Sequence, residues 1–170
     1  MPWSDGQGKD WAVEQYQRLR PATVLDLGAG AGTYAKLMRP HHRGHWTALE
    51  AWAPYVAEYG LTDLYDEVIV ADARWVDRDR AFDRDLVIAG DVLEHMARPE
   101  ATALIRGIQA RAAHLLVSVP VLHLDQDDVG GNTFERHVDH WTFDDMRAVL
   151  GAGVTATWCG GVLAYFLWRR

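Results

Sequence analysis

The stretch TVLDLGAGAGTYAKLM, residues 23–38, places three glycines at alternate positions directly after a short apolar run. The apolar run predicts a buried strand, and the pattern from Tyr34 onward predicts a helix. Glycines between a strand and a helix allow unusual backbone angles and the close approach of a bound molecule. We therefore interpret Gly28, Gly30 and Gly32 as part of a ligand site, although they do not by themselves identify the ligand.

Short apolar runs recur along the whole chain, at residues 23–27, 46–50, 67–72, 85–91, 114–120, 154–158 and 162–168. The first five are nearly continuous in apolar character, which is typical of parallel strands buried on both faces. Helical patterns fall between them, and this alternation predicts an α/β doubly wound sheet. Gly160 and Gly161 leave no room for a helix before the last run, so we expect an antiparallel hairpin there. The predicted sheet is seven-stranded and mostly parallel.

The composition narrows the class of protein. The chain has 170 residues, 17 basic and 24 acidic, with a formal net charge of −7. A single domain over residues 1–170 fits this length, and the negative charge argues against nucleic acid as a partner. Cys159 is the only cysteine, which excludes an intramolecular disulfide and a cysteine-based zinc site. We find no secretory signal and no apolar run near the roughly 20 residues of a membrane span, and expect a cytoplasmic protein without membrane contact.

Two carboxylates follow predicted strands at positions that suit an adenosine. Glu50 ends the second run, where a carboxylate can accept hydrogen bonds from both hydroxyls of a ribose. Asp72 and Ala73 end the third run. There a carboxylate can accept from the adenine amine while the following backbone N–H reaches a ring nitrogen. The glycine loop and these carboxylates are compatible with a nicotinamide cofactor, a flavin or another adenosine-bearing molecule.

The fourth run narrows this choice. DLVIAGDVLEHM, residues 85–96, resembles the motif that follows strand 4 in class I S-adenosylmethionine-dependent methyltransferases. VLDLGAGAGTY, Glu50 and Asp72-Ala73 are similar to three further motifs of that family, in the family's order. The resemblance spans about residues 12–170 and implies a small stand-alone Rossmann-like enzyme that uses S-adenosylmethionine. A nicotinamide dehydrogenase would share the glycine loop but not GDVLEHM or the terminal hairpin.

The resemblance also implies roles for individual residues. The three glycines of the loop would border the methionine part of the cofactor, Glu50 would hold the ribose, and Asp72 the adenine. Gly90 and Asp91 would lie near the transferred methyl group. His95 is expected to fix its loop by hydrogen bonding, with catalysis as the second interpretation. The residues expected at the cofactor are Asp26, Gly28, Ala29, Gly30, Gly32, Glu50, Ala51, Trp52, Asp72, Ala73, Gly90 and Asp91.

The most polar stretch follows the fifth predicted strand, and we call its residues 120–141 the acceptor-side loop. It emerges at the same sheet edge as the glycine loop. A neutral histidine can remove a proton from a hydroxyl, so we take His137, then His140 and His95, as catalytic candidates. His137 and His140 could instead bind a metal with Glu135 or Asp139. Because no second histidine pair stands at an obvious partner position, we predict no metal.

The predicted function is transfer of a methyl group to a small-molecule acceptor, at a hydroxyl, by direct displacement. A non-catalytic S-adenosylmethionine-binding module and a methyltransferase acting on nitrogen or on a macromolecule remain as alternatives. The only candidate lid is the segment of residues 1–11, which contains Trp3, Lys9 and Trp11.

Overall fold

A computed structural model describes residues 6–170 and shows one seven-stranded sheet with helices packed on it. The strands are β1 Thr23–Leu27, β2 His45–Glu50, β3 Glu67–Val70, β4 Leu86–Gly90, β5 His114–Pro120, β6 Val154–Cys159 and β7 Leu163–Arg169. The α-helices are α1 Lys9–Leu19, α2 Thr33–Met38, α3 Pro54–Glu58, α4 Leu61–Leu64, α5 Arg78–Ala81, α6 Arg98–Gln109 and α7 Phe143–Leu150. Short 3₁₀ turns lie at Arg39–His41, Leu93–His95, Thr133–Glu135 and Gly151–Gly153.

The strand order is β3-β2-β1-β4-β5-β7-β6. β1 to β5 pair in parallel, whereas β7 runs antiparallel to both β5 and β6. The predicted doubly wound sheet with a C-terminal antiparallel hairpin is therefore confirmed. Within the described residues no helix is long and apolar enough to cross a membrane.

The sheet buries side chains on both faces. In β1, Leu25 and Leu27 belong to the apolar cluster that includes residues of α6 and α7, while Val24 belongs to the cluster that includes α1 and α2. This alternation explains why the central strands read as continuous apolar runs. β3 differs from the prediction, because its residues are half-buried or exposed. It is an edge strand with only β2 beside it.

The candidate lid, residues 1–11, is described from residue 6 onward. Its residues Lys9 and Trp11 lie in α1, where Lys9 is buried and the Trp11 ring lies 6.0 Å from the ring of Tyr165 in β7. That part of the segment is packed against the sheet. Trp3 lies outside the described residues.

Candidate functional site

A large cleft opens at the carboxyl ends of β1, β2 and β4, the edge where open α/β sheets bind ligands. It encloses about 1270 Å³ of non-protein space, part of it open to solvent. One wall comes from the glycine loop and the ends of β2 and β3, and the other from the turn after β4 and the acceptor-side loop. The predicted site residues that line the cleft are Gly28, Ala29, Gly30, Glu50, Ala51, Asp72, Ala73, Gly90, Asp91, His95 and His137.

The three glycines of the loop share a backbone conformation that other residues rarely adopt. Gly28, Gly30 and Gly32 all have positive φ, at 67°, 50° and 72°. A Cβ at Gly28 would lie 2.4 Å from a methyl carbon of Val92, so both the backbone angle and the space require glycine there. The Gly28 amide also donates to the Leu49 carbonyl at 2.8 Å, which ties the loop to the end of β2.

Glu50 is buried at the end of β2 and is held by backbone amides of both neighbouring segments. Gly30 N–H donates to Oε2 at 2.9 Å, and Trp52 N–H donates to Oε1 at 2.7 Å. Burial raises the pKa of the Glu50 carboxyl, and these amide hydrogen bonds oppose the rise. Each carboxylate oxygen has a second lone pair with which it can accept a hydroxyl. The carboxylate is thus oriented before any ligand arrives.

Asp72 lies at the mouth of the cleft and is paired with a residue that sequence reasoning missed. Arg74 donates to both carboxylate oxygens from Nε, at 3.0 Å each, and from Nη2 at 2.6 Å. Burial acts to raise the pKa of Asp72, but the hydrogen bonds and charge of Arg74 outweigh it and lower the pKa. Arg74 also contacts Glu100 in α6, which anchors this corner of the cleft.

Three residues expected at the cofactor do not line the cleft. Asp26 lies within the core, where it accepts a 2.5 Å hydrogen bond from the Tyr65 hydroxyl, and burial raises its pKa to about 7. Gly32 faces the core, since a Cβ there would lie 2.3 Å from a Leu64 methyl carbon. Trp52 orients Glu50 through its backbone amide. The structure gives these residues supporting positions behind the site.

Asp91 is held in an unusual backbone conformation by a buried polar network. Its φ is 55°, which is uncommon outside glycine and marks strain of the kind found at functional sites. The Ser118 hydroxyl donates to Oδ1 at 2.6 Å, and Lys9 Nζ lies 3.7 Å from Oδ2. Lys9 also donates to the Tyr34 hydroxyl at 3.0 Å. The first turn of α1 therefore contributes to the site.

The turn after β4 and the acceptor-side loop are joined by their backbones. The Glu94 carbonyl accepts from the amides of Val138 and Asp139, at 2.8 and 3.1 Å. His95 Nδ1 lies 3.1 Å from the Arg136 carbonyl. These bonds place His137 beside His95, with 5.1 Å between the ring centroids. Burial lowers the pKa of His95 and so favours its neutral form.

His140 lies outside the main cleft. It lines a second, smaller depression next to the cleft, which His137 also lines, and its ring centroid is 4.9 Å from that of His123. Within the described residues, the ligand atoms that converge with that of His137 belong to Glu94 and His95, so the pair considered as metal ligands from sequence, His137 and His140, does not form such a group with Glu135 or Asp139. Of the three catalytic candidates, the main cleft receives His95 and His137.

Glu94 is a second residue, after Arg74, that was not predicted from the sequence. It is only 3% exposed, lies between the turn and the loop, and lines the cleft beside His95. Burial, followed by the charge of Asp91, raises its pKa well above the ordinary value. The available signal was a carboxylate next to a histidine, placed between the apolar residues Val92-Leu93 and Met96.

No protein-family model matches the chain, and no curated protein matches it in sequence. Solved structures do match in fold. Magnesium protoporphyrin IX methyltransferase from Synechocystis PCC 6803, with SAH bound, aligns with TM-score 0.72 and 18% identity over 96% of this chain and 82% of that one. The N-terminal domain of EvdMO1, in the presence of SAH and D-fucose, aligns with TM-score 0.70 and 16% identity over 98% and 84%.

A third match is the small RNA methyltransferase HEN1, with TM-score 0.75 and 14% identity over 96% of this chain and 25% of that one. The strand order and these alignments agree. The chain has the class I methyltransferase fold. At such identities the likeness establishes the fold, and the class I methyltransferase fold by itself does not name a reaction or an acceptor.

Proposed function

We propose that the protein is an S-adenosylmethionine-dependent methyltransferase that methylates a hydroxyl group of a small molecule. The observation that carries this proposal is one continuous cleft with two kinds of wall. The glycine loop, Glu50 and Asp72 offer the groups that suit an adenosine cofactor, and His95 and His137 stand on the opposite side. Structures of the same fold that contain SAH support the choice of cofactor.

The reaction is a direct displacement. The bond between the sulfonium sulfur and the methyl carbon breaks as the bond between that carbon and the acceptor oxygen forms, and the hydroxyl proton leaves. Alignment of the oxygen, the carbon and the sulfur can supply up to about 7–11 kcal/mol of the barrier in well-oriented systems. Removal of the proton by a positioned group typically adds about 10²–10⁴-fold.

The acceptor hydroxyl needs a group that takes or weakens its proton, and the two cleft histidines are suited to this. A backbone carbonyl only accepts hydrogen bonds. Nδ1 of His95, against the Arg136 carbonyl, and Nδ1 of His137, 2.6 Å from the Leu124 carbonyl, therefore carry the protons. Each Nε2 then keeps a lone pair. Such a lone pair can bind either the hydroxyl proton or a cation that acidifies the hydroxyl.

The residues on the acceptor side of the cleft favour a small-molecule acceptor that has an apolar part. Leu124 and Phe134 line it although each remains more than a third exposed, and Gln126 adds a polar group. Buried carboxylates at Glu94 and Glu135 and the net charge of −7 work against a polyanion such as nucleic acid. We propose a neutral or cationic acceptor of limited size.

The test has two stages. Calorimetry with S-adenosylhomocysteine should show binding at one site per chain. Labelled S-adenosylmethionine should then transfer its methyl group to members of a panel of phenols, sugars and other alcohols. Binding without transfer to any oxygen, nitrogen or carbon acceptor would favour the non-catalytic binding module, and failure to bind would remove the proposal altogether.

A further inference from the structure

Glu94, His95 and His137 bring their ligand atoms together at one point of the cleft. The carboxylate oxygen and the two imidazole nitrogens all lie within 4.8 Å of one another. Metal–ligand bonds of about 2.0–2.2 Å hold two ligands of one ion at most about 4.4 Å apart. Small side-chain rotations would close the observed spacing around an ion.

The two histidines are prepared as ligands by their outer hydrogen bonds. Metal-binding histidines almost always donate the other ring N–H to a carboxylate, a carbonyl or water, which sets the tautomer and the ring orientation. His95 and His137 each direct Nδ1 to a backbone carbonyl, of Arg136 and Leu124 respectively. With the protons on Nδ1, each Nε2 keeps a lone pair that can bind a cation.

The Glu94 side chain is independent evidence for a cation site. Its Oε2 is buried and accepts no hydrogen bond from any residue of the described part of the chain. A buried carboxylate oxygen without a partner is costly, and buried charges are normally paired or bound to metal. Asp91 and Glu135 add further negative charge nearby. Lys9, whose charge opposes the rise in the pKa of Glu94, lies 3.7 Å from Asp91.

We propose that Glu94, His95 and His137 form a binding site for one divalent transition-metal cation at the acceptor end of the cleft. Two imidazole nitrogens and one carboxylate oxygen suit ions such as Zn²⁺, Mn²⁺ or Co²⁺ and leave coordination positions open. This proposal replaces the expectation from sequence that the site binds no metal, and it leaves His140 outside the metal site.

The role of the cation rests on the proposed function. A hydroxyl oxygen on an open coordination position becomes more acidic, because the cation stabilises the alkoxide. Its proton leaves to water, the oxygen attacks the methyl carbon of the sulfonium, and the carbon–sulfur bond breaks. His95 and His137 then act as ligands of the cation, and neither removes the proton directly.

Binding of the metal is measured without cofactor or acceptor. Tag-free protein, stripped with a chelator, is titrated with Co²⁺ while its visible absorption is followed, and with Zn²⁺ in a calorimeter. We expect one ion per chain. Glu94→Gln and His137→Ala should lower the affinity by more than the roughly 10–100-fold that outer-shell partners cost. His137→Ala also serves if the buried Glu94→Gln variant does not fold.

The chain offers a matched control in the neighbouring histidine pair. His123→Ala and His140→Ala each remove an imidazole from the second depression and should leave the metal affinity unchanged. The proposal is overturned if the wild type binds no stoichiometric ion, or if Glu94→Gln and His137→Ala bind as tightly as these controls. S-adenosylhomocysteine binding, measured in parallel, reports on the proposed function separately.

Discussion

The two walls of the cleft differ in how their chain segments are held. We call the wall formed by the glycine loop and the ends of β2 and β3 the cofactor wall, and the wall formed by the turn after β4 and the acceptor-side loop the acceptor wall. The cofactor wall consists of strand ends and tight turns, in which backbone amides of the glycine loop bind Glu50 and a neighbouring strand. The acceptor wall is a long irregular segment that is joined to the turn after β4 by a few hydrogen bonds around Glu94. A side chain added at Gly28 would meet Val92, whereas one added at the exposed Gly130 would meet nothing within 4 Å.

The largest expected effect concerns the buried ion pair between α1 and Asp91, directly after β4. Lys9→Met should destabilise the protein by about 3 kcal/mol, the lower end for breaking a buried ion pair, because its 3.7 Å separation from Asp91 is long. Urea unfolding measures this. Lys36→Met removes the same charge from an exposed position and should change the stability by less than about 0.5 kcal/mol. Equal losses in the two variants would contradict a structural role for Lys9.

Gly28 in the cofactor wall and Gly130 in the acceptor wall have similar backbone angles, so they compare the space available in the two walls. Gly28→Ala should cost about 2–3 kcal/mol, since a positive φ costs an ordinary residue about 1–2 kcal/mol and the contact with Val92 adds an overpacking penalty. Gly130, in the acceptor-side loop, has φ 57° and nothing within 4 Å of its Cβ position. Gly130→Ala should therefore cost only the backbone part, about 1 kcal/mol. Denaturant unfolding of both variants gives the difference, and no difference would show that the space around Gly28 can relax.

The affinity for S-adenosylhomocysteine should depend on the cofactor wall and not on exposed residues of the acceptor wall. Glu50→Ala is expected to weaken binding of S-adenosylhomocysteine by about 1.5–3 kcal/mol, the range for hydrogen bonds to a charged group. Asp127→Ala removes one negative charge from an exposed site of the acceptor-side loop and should leave the affinity unchanged. Calorimetry decides, together with a thermal unfolding check that the Glu50→Ala loop is intact. Unchanged affinity in Glu50→Ala would remove this carboxylate from the ribose site.

The last effect is a pH dependence built into the core behind the cofactor wall, and it is the smallest when counted per pH unit. Burial raises the pKa of Asp26 from 3.8 to about 7, so the folded protein holds a proton there that the unfolded chain has lost. Its contribution to stability is therefore complete below pH 3.8 and is lost as the pH rises towards 7, by at most about 1.4 kcal/mol per pH unit.

Asp26→Asn should remove this dependence, because the amide oxygen can still accept from the Tyr65 hydroxyl. Urea unfolding of the wild type and of Asp26→Asn between pH 4 and pH 8 is the measurement. A free energy of unfolding with the same slope in both proteins would show that Asp26 is already ionised across this range.

The sequence alone determined the architecture and most of the cofactor wall. Apolar runs and glycines act through local rules: a strand needs continuous burial, and Gly28 needs its backbone angle whatever lies farther away. The doubly wound sheet and the terminal hairpin were predicted on that basis and are confirmed. Residues at the ends of parallel strands must share one edge, which is why Glu50, Asp72 and Gly90 could be placed together.

The arrangement of side chains in the acceptor wall depends on contacts between distant parts of the chain. The spacing of His137 and His140 would indicate neighbouring side chains on a helix, but the segment is irregular. Its amides at Val138 and Asp139 both bind the Glu94 carbonyl, and of the two histidines on either side only His137 lines the main cleft. That contact joins positions more than forty residues apart. Local patterns carry no information about such a pairing, so the grouping of Glu94, His95 and His137 appears only in the folded chain.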